Sequence, residues 1–311
     1  MTVHLMALIV LVGCGPETSD TEDTGAPTGG DDTAISETGG DDTATGGDDT
    51  AITETGETGD PYDGSDRALQ GYVELDQSGE WTHLRASFWD ASGYVVTETW
   101  LDPMEGEGDC GIVRRTGEGD VIVLSAGDVV FSADGDSVTV PWGSGPTWDT
   151  GGGGGEGYGE FTLEEAGYAP RYGVDYGVEA PGDGFPGFAL AAAVRFPEAA
   201  MVVTSPSISG SSRPSHSAAD PLAVTWSGAA GVDDVLVVIY GTAGGESVEL
   251  RCETDDDGAF EVPADVLGQL SEGSVTLEVV RYQISSHDVG DDAWLTARAQ
   301  SRERGKIDLI P

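Results

Sequence analysis

The chain has 311 residues, 57 of them acidic and 13 basic, for a formal net charge of −44. That balance excludes nucleic-acid binding, which needs Lys and Arg gathered on one face to meet phosphate. It equally disfavours direct docking of the polypeptide on an anionic lipid surface. The 48 glycines and the single lysine, Lys306, mark an unusual composition but name no activity.

The chain opens on a short apolar run, Leu5–Val12, followed by Gly13 and Cys14. A bilayer span takes roughly 20 apolar residues, so this run suits the hydrophobic core of a signal peptide instead. Its leading segment, Met1–Leu5, has no Lys or Arg. Leu11-Val12-Gly13-Cys14 resembles a bacterial lipobox. The resemblance implies cleavage between Gly13 and Cys14, with lipid placed on the cysteine sulfur and the new amino terminus. Each buried methylene contributes about 0.8 kcal/mol, so two or three acyl chains hold a protein on a membrane. Gly15 stands where an Asp would signal inner-membrane retention. The implied address is the cell envelope, on the outer membrane of a Gram-negative cell, with the leaflet left open.

Residues 14–66 read as a disordered acidic linker. Sixteen acids and no base lie between Glu17 and Asp66, and Gly-Gly-Asp-Asp-Thr-Ala recurs from Gly29, Gly39 and Gly46. Such a segment buries too little apolar surface to offset its ordering entropy. A Gly-rich coil of about 50 residues spans on the order of 40 Å, and self-repulsion extends it further. The paired aspartates lack the alternate spacing of a calcium loop.

The remainder still holds 41 acids against the 13 bases and reads as all-β. Alternation marks Leu69–Leu75, Trp81–Trp89, Val121–Leu124, Val129–Phe131, Val138–Val140, Tyr172–Val178, Leu222–Trp226, Val235–Tyr240, Val248–Cys252 and Val275–Val279. A short helix is expected over Pro263–Leu270, with Pro at its start. A boundary near Pro197–Ala200 divides a β-rich domain over 67–198 from a β-sandwich over 199–311. In the latter, Leu222–Trp226 and Asp234–Tyr240 resemble the B and C strands of fibronectin type III and immunoglobulin-like domains. Leu270-Ser-Glu-Gly273 with Val275, Leu277 and Val279 resembles the turn into their F strand, although Val275 replaces the tyrosine of the usual corner. The composition is also similar to that of uncharacterised deltaproteobacterial, myxobacterial-type lipoproteins.

Chemistry-bearing patterns are few. With Cys14 committed to lipid, Cys110 and Cys252 either pair, closing a loop of about 140 residues worth roughly 5 kcal/mol in the chain-entropy model, or leave Cys252 a buried thiol. Glu253–Gly258 begins like a calcium loop, but its twelfth position is Ala264, so a hairpin turn is expected there. Ala133-Asp-Gly-Asp136 reads as another turn. Gly151–Gly155 opens no helix and carries no dinucleotide, and no Gly-x-Ser-x-Gly elbow exists. His216 with Ser215 and Asp220 sits in a Ser-rich connector, His83 on a strand face, and His287-Asp288 near Asp291-Asp292. None forms a complete catalytic or metal set, so no catalytic residue, metal or cofactor is assigned. The aromatics Trp81, Phe88, Trp89, Tyr94, Trp100, Trp142 and Trp148 serve the core or a protein- or glycan-binding face. The expectation is a membrane-anchored, non-enzymatic binding or structural module. The alternatives are a calcium-dependent adhesin and a secreted hydrolase with a dispersed site.

Overall fold

The computed structural model describes residues 68–311 apart from 93, 103–109, 120–121, 147–155, 160, 211–212, 229–230, 232 and 291. The signal segment, Gly13, Cys14 and the acidic linker therefore lie outside the described residues, as does Trp148. The described body is all-β.

The chain starts with the hairpin β1 (Leu69–Ser78) and β2 (Trp81–Asp90), turned at Gly79 with φ 64°. A second hairpin follows at once, β3 (Tyr94–Asp102) and β4 (Cys110–Gly119). Then come β5 (Ile122–Val123), β6 (Val129–Ala133), β7 (Asp136–Val140), β8 (Trp142–Pro146), β9 (Glu156–Tyr158) and β10 (Phe161–Thr162). Asp134 and Gly135, with φ of 49° and 87°, close β6 onto β7 in the two-residue turn that the Asp-Gly pair predicts. β11 (Asp175–Ala180) and β12 (Phe188–Arg195) complete this half.

The other half contains β13 (Val202–Ser205), β14 (Ser215–Ser217), β15 (Leu222–Ser227), β16 (Asp234–Ala243), β17 (Glu246–Asp255) and β18 (Ala259–Val262). The expected helix is a single turn, α1 (Ala264–Leu267), with Pro263 at its N-cap position. It ends in the long hairpin β19 (Gly273–Gly290) and β20 (Ala293–Ile310), 18 residues each.

One sheet of eleven strands carries the molecule, in the order β10-β2-β1-β20-β19-β16-β17-β4-β3, with β14 on β20 and β5 on β2. Two small sheets pack on it, β12-β11-β6-β7 and β13-β15-β18. Both lie on the same face, because odd-numbered residues of β20 enter both cores. Leu295, Ala297 and Ala299 belong to the first, with Val73, Leu75, Leu84 and Phe88. Ile307 and Leu309 belong to the second, with Val224, Val237, Ile239, Leu250 and Leu277. Burial of such side chains contributes roughly 1.5–3 kcal/mol each.

Chain order and core membership differ at two places. The carboxy-terminal hairpin reaches past Pro197–Ala200, where β1 pairs in parallel with Leu69↔Ala293 through Ser78↔Arg302. In return β4 pairs with β17, Cys110↔Cys252 through Val113↔Glu249. Each half thus lends a hairpin to the other's side of the sheet.

The β3–β4 hairpin forms an arm. Its base is tied to β2: four Cα steps from Asp90 to Tyr94 reach at most about 15 Å, and β5 pairs with Trp89 and Asp90. Its far end joins β17, which is five strands from β2 in the sheet order. Five strand spacings amount to about 24 Å across a flat sheet. The two small sheets occupy the core face, so the arm crosses the opposite face.

Candidate functional site

That opposite face has no second sheet, yet it is neither apolar nor open. Even-numbered residues of β1 and β20, their neighbours on β19 and β16, and odd-numbered residues of β2 and β17 point to it. Glu74, Asp76, Arg251, Glu278, Arg298 and Gln300 are all buried, with Asp76 at 0 % exposure. Val238 and Val280 are buried among them, as is Val113 on the arm.

Buried charges must be paired, and here they are. Arg302 grips Asp76 with two bonds, Nε to Oδ1 at 2.9 Å and Nη2 to Oδ2 at 2.6 Å. Its Nη1 donates to Glu278 Oε1 at 2.8 Å. Arg85 Nη1 bridges Glu74 Oε2 and Asp76 Oδ2, each at 2.9 Å. Glu74 also accepts from the Tyr72 hydroxyl at 2.9 Å and from Gln300 Nε2 at 3.0 Å. Arg251 donates to Glu249 Oε2 at 3.0 Å through Nε. The guanidiniums of Arg298 and Arg304 lie over the rings of Tyr282 and Tyr240, at 5.3 and 5.1 Å.

Burial opposes the charge on Arg302, but Asp76 and Glu278 outweigh it and raise its pKa. Burial first, then the carboxylates of Glu278 and Glu249, raise that of the Tyr240 hydroxyl. Arg85, Arg251, Arg298, Arg302 and Arg304 thus meet the carboxylates of Glu74, Asp76, Glu249 and Glu278 on this face within a strongly acidic protein.

A second buried arginine lies on the core face, between the two cores. Arg281 is 0 % exposed and uses all five N–H groups. Nε and Nη2 clamp Asp256 at 2.8 Å each. Nη1 reaches the carbonyls of Ala199 and Ala200 at 2.9 and 3.1 Å, and Nη2 that of Ser227 at 3.2 Å. Trp226 Nε1 donates to Asp256 at 2.8 Å. This knot fixes the chain where it passes from the first core to the second.

The knot corrects one sequence expectation. Asp255–Gly258 is not a hairpin turn, because β17 and β18 belong to different sheets. It is a corner between sheets, with Gly258 at φ 97° and Asp256 turned inward to Arg281.

Cys110 and Cys252, directly opposed in the β4–β17 ladder, are joined as a disulfide with Cα atoms 4.2 Å apart. Opposed residues of a non-hydrogen-bonded antiparallel pair come about this close.

The histidines are dispersed. His216 Nε2 meets the backbone carbonyl of Asp220 at 3.0 Å, not its carboxylate, and Ser215 pairs in β14 with Asp308. His287 Nε2 lies 2.8 Å from Ala193 O and 3.1 Å from Ser285 Oγ. Asp288 is bonded to the Gly290 amide, and Asp291 lies outside the described residues. His83 is half-buried on the charged face, in register with Asp76. Among the described residues no group of three or more His, Cys, Asp or Glu stands together as a metal set.

Of the aromatics, Phe88 is core and packs its ring 4.7 Å from that of Phe185. Trp89 is buried, Trp142 stacks edge-on to Tyr158 at 5.0 Å, and Trp81 is 48 % exposed. The side chains of Tyr94 and Trp100 lie outside the described set.

Sequence reasoning missed the charged face altogether. Its signal was present: Arg298, Gln300, Arg302 and Arg304 alternate along one strand, as do Glu74 and Asp76 on another. The Arg281 knot had no local signal, since its partners come from separate segments: Ala199–Ala200, Ser227, Asp256 and, at 3.9 Å, Asp233. No protein-family model matches the chain, and no curated protein matches it.

Proposed function

We propose that the chain is a cell-envelope lipoprotein whose β body acts as a non-enzymatic binding or structural module. Leu11-Val12-Gly13-Cys14 carries this reading. A signal peptidase would cut after Gly13, and Cys14 would carry the lipid. Residues 15–66 would be a charged spacer that holds the body clear of the headgroups. The anchoring surface is the outer membrane, and the ligand class is a protein or glycan.

Two features of the body support this reading. A disulfide between Cys110 and Cys252 suits an oxidising compartment such as the periplasm or cell surface. The second core also divides its strands as immunoglobulin-like sandwiches do, with β13-β15-β18 facing β20-β19-β16-β17. That division supports the likeness to fibronectin type III domains.

The test is metabolic labelling of the full chain with a radioactive or clickable fatty acid in a Gram-negative host. Wild-type protein takes up label and sediments with membranes, whereas Cys14→Ser takes up none and moves to the soluble fraction. Wild-type protein that is unlabelled and soluble overturns the assignment.

A further inference from the structure

We propose that the parallel β1–β20 ladder is a shear clamp that carries mechanical load between the lipid anchor and the second core. The proposal rests on the reading of Cys14 as the anchor. Ala68 immediately precedes β1, so any pull from Cys14 enters at the amino-terminal end of that strand. β20 runs parallel to β1 from Leu69↔Ala293 to Ser78↔Arg302. It then continues away from that end to Ile310, entering the second core through Ile307 and Leu309.

A load on the second core therefore pulls β20 one way along the strand axis while the anchor pulls β1 the other way. The bonds of a parallel ladder are evenly spaced from strand to strand. Sliding the strands past each other strains them all together, whereas peeling would strain them one pair at a time. β1 is also an inner strand, since β2 pairs with it along its whole length, from Leu69↔Asp90 to Ser78↔Trp81.

Side chains lock the register. Arg302 grips Asp76 through two bonds, Gln300 Nε2 donates to Glu74 Oε1 at 3.0 Å, and Ser301 Oγ donates to Gln77 Oε1. Each of these crosses from β20 to β1. Both faces of β1 are buried, with Val73 and Leu75 in the first core and Glu74 and Asp76 on the ionic face. A slip of one residue exchanges the faces. It drives two carboxylates into an apolar core and strips them of their partners, which is costly. A slip of two residues restores the faces but parts Asp76 from Arg302.

Single-molecule pulling on the full, oxidised chain tests this. Unlipidated protein is held by a handle on the Cys14 thiol and by a carboxy-terminal tag. In a second geometry, Cys14→Ser with Glu80→Cys moves the handle to the β1–β2 turn, where the same pull peels the hairpin from β20 starting at Ser78. The body held at Cys14 survives a fixed load at least about tenfold longer than the body held at residue 80, a lifetime set by the unfolding rate. Arg302→Met shortens the lifetime in the first geometry about tenfold. Arg281→Met, whose bonds cross no β1–β20 pair, leaves it within about twofold, because that knot is still intact when the ladder gives way. Heat orders the two variants the other way. Equal lifetimes in the two geometries overturn the clamp. So does a lifetime under load that follows thermal stability, with Arg281→Met the shorter-lived variant. Pulling reads the clamp and fatty-acid labelling reads the anchor, so the two failures are told apart.

Discussion

Arg281 and Arg302 both hold a fully buried aspartate in a two-point grip, on opposite faces of one sheet, and they do different things. Arg281 spends three of its five donors on backbone carbonyls from two segments, so it fixes where the chain runs. Arg302 bonds only to side chains, Asp76 and Glu278, so it neutralises a charged layer. The first joins two cores across their seam. The second lines a surface that the arm covers. Burial alone does not tell a structural ion pair from a paired charged face. The identity of the remaining hydrogen-bond partners does.

Breaking the first grip has the larger effect. Arg281→Met strands Asp256 in the interior with Trp226, and losing one partner of a buried pair costs about 3–5 kcal/mol. For a body of this size that lowers Tm by roughly 6–20 °C, measured by scanning calorimetry. Arg281→Met with Asp256→Leu recovers part of the loss if unpaired charge is the cause. A double variant as unstable as the single one would place the stability in the carbonyl bonds instead.

On the other face, Arg302→Met costs less, about 1–3 kcal/mol, because Asp76 keeps Arg85 and Glu278 keeps Arg304 nearby. A loss in chemical denaturation equal to that of Arg281→Met would erase the distinction drawn between the two faces.

The smallest effect is in pH. Burial pushes the Tyr158 hydroxyl up to about 12, against an Ala126 amide bond that favours the ionised form. An exposed tyrosine ionises near 10. The stabilising preference for the neutral ring is therefore complete below about pH 10 and disappears as pH rises towards 12. Tm falls across that window in the wild type, and Tyr158→Phe, although less stable at neutral pH, falls less steeply. Parallel curves would remove Tyr158 from the alkaline transition.

Much of the strand inventory was legible. Alternation located β1, β2, β15, β16 and β17, and the Asp-Gly pair located the β6–β7 turn. β19 was read only to Val279, and the reason is physical. Beyond that residue its core-facing positions are Arg281, Gln283, Ser285 and His287, because the strand there crosses the polar seam between two cores. On β20 the core positions Ala293, Ala297 and Ala299 are too small to register as an apolar stripe. β3 and β4 were missed as well: β4 carries Gly111, Gly117 and Gly119 around Arg114 and Arg115, so it shows no apolar alternation that would mark it as the partner of β3.

Composition and local pattern by themselves determined an acidic chain with a lipobox-like start, a segment too polar to form a core, and a body of strands. Which strands pair, and which charges meet, was decided only in the tertiary structure. A period-two pattern records that a residue faces one side of a strand, but it carries no information about which distant strand lies beside it. Parallel pairing of β1 with β20, the Cys110–Cys252 bond and the Arg281 knot all join residues far apart in sequence. Their free energy exists only after the chain has closed those loops.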